Sequence, residues 1–172
     1  MVPTQRSFLW CLAFLMFCIG VHAHAQSWQQ RVDSDIRVSL DDVRHRLDGD
    51  IQLIYHNNSP DTLDFVWMHL WPNAYRNGKT AMAQQHFRDG DMFMFYAMSR
   101  DMGGIDSLAF TSMGQPLEWS YDEEHIDIAK VMLPKSLFPG EAIEISTPFR
   151  VDIPNGSISR LGHVGESYQI TQ

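Results

Sequence analysis

Residues 35–41 read DIRVSLD and residues 51–56 read IQLIYH, and both stretches alternate between apolar and polar side chains. In the first stretch, Ile36, Val38 and Leu40 occupy every second position. A period of two places the apolar side chains on one face of a β-strand and the polar side chains on the other. These two stretches therefore predict neighbouring strands, each with one buried face.

The same period recurs further along the chain, at residues 117–121, 143–145 and 149–153. Turn-forming residues separate the runs, among them NNSPD at residues 57–61 and PG at residues 139–140. Several short strands joined by such turns predict an all-β fold. We expect an antiparallel β-sandwich or a curved, saddle-like sheet with one long, partly helical insertion.

Two stretches of this pattern need interpretation. Leu63–Leu70 is apolar on both faces, which predicts a central strand covered on both sides. Asp48-Gly49 could form a hairpin turn, or the hairpin could turn near Asp41-Asp42 with Gly49 as a bulge in one long strand. We favour the second arrangement, because the polar pair at residues 41 and 42 ends the first alternation.

The insertion begins at Pro72 and extends to Gly90, with a short helix predicted from Thr80 to Arg88 and ended by Gly90. Met92–Met98 follows and contains only methionine, aromatic residues and one alanine. Such a run could be a strand or an interaction surface, since methionine and aromatic residues are enriched at interfaces. We favour ordinary core packing for it.

Composition excludes several classes of protein. The chain has 172 residues, of which 44% are hydrophobic and 20% charged, as in an ordinary globular domain. Its formal net charge of −8 argues against nucleic acid as a partner and against a polybasic membrane patch.

The first 25 residues resemble a signal peptide. Arg6 precedes an apolar stretch from Phe8 to Val21, and Ala23-His24-Ala25 offers small residues for cleavage. The alternative is an uncleaved anchor, for which the apolar stretch is short. Cleavage after Ala25 would remove both cysteines and leave an exported, periplasmic or secreted β domain at residues 26–172 without a membrane anchor.

Sequence motifs for catalysis are missing from the chain. It has no H-E-x-x-H and no G-x-S-x-G, and no cysteine remains after cleavage. Six histidines remain, for which we expect surface or hydrogen-bonded positions rather than zinc ligation; they are His45, His56, His69, His86, His125 and His163. For Trp67, Trp71 and Trp119, we favour core packing over a sugar-binding platform. The chain's own residues therefore predict no metal or catalytic site.

The order of the motifs resembles the N-terminal domain of the aminopeptidase N-like gluzincins, the M-one family of zinc peptidases, in its exported bacterial branch. The resemblance rests on five stretches, in this order: residues 35–41, residues 47–59, residues 63–75, residues 133–141 and residues 162–172. Together they cover essentially the whole chain after the signal peptide. The resemblance implies a saddle-like β domain that caps a thermolysin-like catalytic domain.

The resemblance also implies an enzymatic activity whose zinc-binding motif this chain lacks. Family members release N-terminal residues from peptides with a zinc-bound water, and the zinc ligands would lie beyond Gln172. We therefore expect a sequence truncated before its catalytic domain, inactive alone, with zinc and the peptide substrate bound by the full-length protein. By the same resemblance, Thr171-Gln172 matches a pair whose glutamine faces the first substrate subsite. The alternative function is a stand-alone periplasmic or surface β-sandwich that binds peptide or glycan.

Overall fold

The fold is taken from a computed structural model that describes residues 28–156 and 161–170. The strands are β1 (Arg31–Asp41), β2 (Arg46–His56), β3 (Leu63–His69), β4 (Gly104–Asp106), β5 (Thr111–Ser112), β6 (Gln115–Pro116), β7 (Trp119–Tyr121), β8 (Ile128–Leu137), β9 (Ala142–Asp152), β10 (Leu161–Val164) and β11 (Ser167–Ile170). The helices are α1 (Ala81–Arg88) and α2 (Phe93–Tyr96), with 3-10 turns at Trp71–Tyr75 and Ser99–Asp101. Every strand pairing within the sheets is antiparallel, which confirms the predicted all-β fold. None of the helices in these residues is long and apolar enough to span a bilayer.

The large sheet has the strand order β1-β2-β9-β5-β6, and β4 also pairs with β9. Its first hairpin turns at residues 42–45, as the sequence predicts. The Asp41 carboxylate oxygen Oδ1 accepts hydrogen bonds from the N–H groups of Val43 and Arg44, at 3.1 and 2.9 Å. His45 closes the turn with a positive φ of 53°. A short polar side chain at the end of β1 therefore fixes the register of β1 on β2.

Gly49 is not a bulge, and this part of the prediction is wrong. Val38 pairs with Gly49, and the register of β1 on β2 continues one-to-one on both sides of that pair. The glycine has a packing role instead. A Cβ atom at this position would collide with the Arg37 carbonyl oxygen and with the ring of Phe149 on β9. Phe149 can lie flat across β2 only because residue 49 has no side chain.

The three-stranded sheet has the order β3-β8-β7 and packs on the apolar face of the large sheet, which we call the inner face. The core lies between the two sheets and consists of Val66, Phe110, Leu117, Val131, Leu133, Leu137 and Ile145. β3 lies at the edge of its sheet rather than at the centre, so the prediction for Leu63–Leu70 is wrong. Only Val66 and Leu70 of that stretch are buried, and Trp67 is 50% exposed.

The helix predicted in the insertion is present as α1. The Thr80 hydroxyl accepts a hydrogen bond from the Ala83 N–H group at 3.2 Å and so caps the N-terminus of α1. The same hydroxyl donates to the Ala74 carbonyl at 2.7 Å, which ties the helix to the preceding 3-10 turn. Gly90 follows the helix with a φ of +84°.

A buried asparagine joins the turns at one end of the two sheets. Asn57 is fully buried, and its side-chain amide donates to the carbonyls of Asp61 and Leu137, at 2.8 and 3.0 Å. Its side-chain oxygen accepts from the Ser59 N–H group and hydroxyl, and from Gln30. These bonds compensate the cost of burying the amide and hold the β2–β3 turn against the end of β8.

We predict that Gly49→Ala lowers the free energy of unfolding by about 1–3 kcal/mol, the typical cost of overpacking a core position. The added methyl group displaces the Phe149 ring and separates β1 from β2. Urea unfolding followed by circular dichroism measures the change. Ser39→Ala, at an exposed position on β1 of the same hairpin, is the matched control. Equal stability of Gly49→Ala and the parent chain would contradict the packing role of Gly49.

Candidate functional site

Two of the sequence predictions fall outside the described residues. The signal peptide at residues 1–25, with Cys11 and Cys18, is one of them. The other is Gln172, proposed for substrate binding together with Thr171. The strand β11 ends directly before this pair. The subsite role of Gln172 stays a prediction.

The methionine-aromatic segment, residues 92–98, forms α2 and is largely exposed. Tyr96 is 77% exposed, Phe95 60% and Met98 58%, whereas Met94 alone is buried. The expectation of core packing is therefore wrong for most of this segment, and it is not a strand. Its exposed side chains form a contiguous apolar surface at the end of the insertion.

Asp91 joins the start of this segment to α1. The Asp91 carboxylate accepts from the Phe93 N–H group at 3.0 Å and pairs with His86 Nδ1 at 2.9 Å. The Phe93 N–H group, and then His86, lower the pKa of Asp91 below its ordinary value. The single helical turn of α2 follows directly, with Met92 at its N-cap.

Ring contacts order the exposed aromatic residues. Phe95 makes edge-to-face contacts with Phe87 of α1 and with Tyr96, at centroid distances of 5.6 and 5.2 Å. Beside them, a shallow depression of about 450 Å³ is lined by Met92, Phe93, Tyr96, Ala97 and Asp101. An ordered, apolar and concave surface of this kind suits contact with another protein surface.

The inner face of the large sheet supplies a second apolar surface. The three-stranded sheet covers its β9 side, whereas Ile36, Val38 and Leu40 on β1 are 47–56% exposed. Between the covered and uncovered parts lies an apolar cleft of about 240 Å³, with Ile36 and Phe149 in its wall. The β1 side of the apolar face that the sequence predicts is thus left open.

The opposite, outer face of the large sheet is polar and charged. Asp48 pairs with Arg150 at 2.9 Å and with Arg46 at 3.2 Å. The hydrogen bond from Arg150 is the main cause that lowers the pKa of Asp48, and the charge of Arg46 adds to it. The Asp48–Arg150 pair ties β2 to β9, whereas the Arg46–Asp48 pair lies within β2; both are on the exposed side of the sheet, where solvent weakens them.

Among the six histidines in residues 28–156 and 161–170, two are in direct contact. The rings of His45 and His163 stack with centroids 3.6 Å apart, and His45 Nδ1 lies 2.7 Å from the Tyr168 hydroxyl. This contact holds the β10–β11 hairpin against the first turn of the large sheet. Elsewhere, His56 pairs with Asp33 at 3.0 Å. Within residues 28–156 and 161–170, no group of three or more His, Cys, Asp or Glu side chains could hold a metal ion.

The tryptophans differ from the expectation of core packing. Only Trp119 packs as predicted, edge-to-face on Phe110 at a centroid distance of 5.3 Å. Trp71 is 63% exposed and stacks on His69 at 5.2 Å, and Trp67 is half exposed. The expectation is therefore wrong for Trp67 and Trp71. Trp67 pairs with Lys130 on the face of the three-stranded sheet that is turned away from the core, whereas its neighbour Val66 faces the core.

Comparison with known proteins adds no family assignment. No protein-family model matches the chain, and no curated protein matches it. The two apolar surfaces are therefore the features from which a function can be inferred.

We predict that replacing Phe95 and Tyr96 together with serine reduces the fluorescence of a dye that binds exposed apolar surface, such as ANS. Because both side chains are largely exposed, we expect unfolding free energy to change by no more than about 0.5 kcal/mol. Met113→Ser is the control, since Met113 is 90% exposed but isolated in the β5–β6 turn. Equal dye binding by both variants would contradict a contiguous surface at residues 92–98.

We predict that acid weakens the fold through Asp48. Its folded-state pKa is lowered, so its contribution is present above its unfolded pKa and is lost as pH falls through the folded pKa. The urea concentration at the unfolding midpoint should therefore decrease as the pH is lowered from about 5 to about 2. It should decrease less for Asp48→Asn than for the parent chain. Parallel pH profiles for the two proteins would contradict this role for Asp48.

Proposed function

We propose that this chain is the non-catalytic N-terminal β domain of an exported zinc-dependent aminopeptidase-like metallopeptidase. The ordered sequence motifs suggest this class, and the exposed methionine-aromatic segment carries the proposal. In this role the segment packs on a catalytic domain, and the β domain walls one side of the cleft for the peptide substrate.

The energetic argument rests on apolar area left in water. Phe95, Tyr96 and Met98 are each more than half exposed, and an edge-to-face ring contact orders the first two. Full burial of a side chain of this size contributes about 1.5–3 kcal/mol relative to full exposure. Covering the segment with a partner domain therefore contributes favourable free energy to a contact between domains, less than this figure for each side chain because each is already partly buried.

In this proposal, the catalytic residues belong to the partner domain. Zinc and its ligands lie in the catalytic domain, and Gln172 contributes an amide that can hydrogen-bond the substrate without adding charge. Export by a signal peptide cut after Ala25 places the protein in the periplasm or outside the cell. The charge of −8 agrees with a protein that does not bind nucleic acid.

The size of the native polypeptide tests the proposal. We expect an antibody against this β domain to capture, from the source cells, a polypeptide much larger than 19.8 kDa. Peptide mapping should give a sequence that starts at Gln26, continues past Gln172 and contains H-E-x-x-H. A captured polypeptide no larger than the 19.8 kDa of the 172 residues, with no longer form, would refute the proposal.

Matched variants of that polypeptide test the contact itself. Phe95→Ser combined with Tyr96→Ser should lower its melting temperature, while Met113→Ser leaves it unchanged. The β domain alone should show no such difference between the variants, since the partner surface is missing from it.

One observation favours a second function, a stand-alone module that binds peptide or glycan. Trp71 is open to solvent and stacks on His69, which is the kind of flat surface on which sugars stack. A native polypeptide of about 20 kDa would favour this function over the first.

A further inference from the structure

We propose that the edge strand β1 pairs with β1 of a second copy of this chain, antiparallel and centred on Ile36, so that two large sheets join into one. The proposal does not depend on the proposed function. It rests on the order of charged and apolar side chains along β1 and on the free edge of that strand.

β1 is the edge of the large sheet among the described residues. An edge strand presents unpaired N–H and C=O groups to other strands, and proteins usually protect such edges with proline, bulges, short length or inward-pointing charges. β1 is 11 residues long, contains no proline and pairs with β2 without a register shift. Its inner face carries Val32, Ser34, Ile36, Val38 and Leu40 and no charge.

The outer face of β1 has charges in an order that complements itself. A two-fold contact between identical strands must be antiparallel, and full overlap of Arg31–Asp41 puts the axis at Ile36. In that register Asp35 faces Arg37 of the second copy, Arg31 faces the second copy's Asp41, and Asp33 faces its Ser39. Each opposite-charge pair occurs twice, and no like charges face each other.

Neighbouring registers do not share this property. Moving the axis to Asp35 or to Arg37 places two identical charges directly opposite, which destabilises cross-strand pairing. Moving it by half a residue sets apolar side chains opposite charged ones on both faces. The charge pattern therefore selects the one register that also pairs all of β1.

The inner face matches in the same register. Ile36 meets Ile36 of the second copy on the axis, and Val32 meets Leu40 of that copy. These three side chains are 46–56% exposed in the single chain. Pairing would make the uncovered apolar stripe continuous across the two copies and cover part of it.

The two central charges are only loosely paired within one chain. The closest approach between the Arg37 guanidinium and Asp35 within one chain is 3.7 Å, and the two side chains are 76% and 62% exposed. Arg31 and Asp41 already have partners in the chain, Asp33 and Arg44, so they add less. Asp35 and Arg37 are therefore the residues to change.

Charge reversal with mixing tests the proposal by analytical ultracentrifugation. The purified chain should form dimers that weaken as salt is raised. Asp35→Lys and Arg37→Glu should each weaken self-association about tenfold or more, because each sets like charges opposite one another twice. An equimolar mixture of the two variants should dimerise again, since lysine then faces glutamate and Arg37 faces Asp35.

Controls separate pairing from misfolding and from general stickiness. Arg37 also faces Asp50 on β2, so circular dichroism must show that Arg37→Glu is folded. Ile36→Lys is an independent variant that puts two lysines on the axis and should abolish dimers. Val43→Lys, at an 85% exposed position beyond β1, should leave them intact.

Three results would overturn the proposal. They are a chain that stays monomeric at high concentration, association that survives both charge reversals and Ile36→Lys, and a mixture of folded single variants that stays monomeric. Association that survives the β1 variants but is lost with Phe95→Ser and Tyr96→Ser would assign self-association to residues 92–98 instead.

Discussion

The packing of the small sheet on only part of the large sheet's inner face determines most features of this structure. The strands β1, β2 and β9 all place apolar side chains on that face, but the core is built around Val131 and Ile145 on its β9 side. Ile36 and Val38 on β1 stay more than half exposed. A sheet that is apolar on one face and only partly covered has a free energy to gain from a further partner.

Polar interactions fix the position of the covered part. Asn57 links the β2–β3 turn to the end of β8, and Asp48 links β2 to β9 on the outer face. The stacked rings of His45 and His163 attach the last hairpin to the first turn. Because these contacts lie around the core rather than within it, they determine how the sheets meet and leave the apolar surfaces accessible.

Local features could be predicted from the sequence, whereas features that depend on strand order could not. The first hairpin and α1 follow from Asp41, Thr80 and Gly90, whose effects reach only a few residues. The exposure of Trp67 follows from its place on the face of the three-stranded sheet that is turned away from the core, which no local pattern encodes. The methionine and aromatic composition of residues 92–98 suggested an interaction surface, but composition alone did not distinguish that role from core packing. Contacts such as that between His45 and His163 join distant parts of the chain, so they can be identified only once the fold is known.

The central claim for function is that another protein domain covers these apolar surfaces. Hydrogen–deuterium exchange of residues 92–98 tests it most directly, when measured in the native polypeptide and in the 172-residue chain alone under the same conditions. Packing on a catalytic domain predicts exchange at least about tenfold slower in the native polypeptide. Equal exchange rates in the two would contradict the claim.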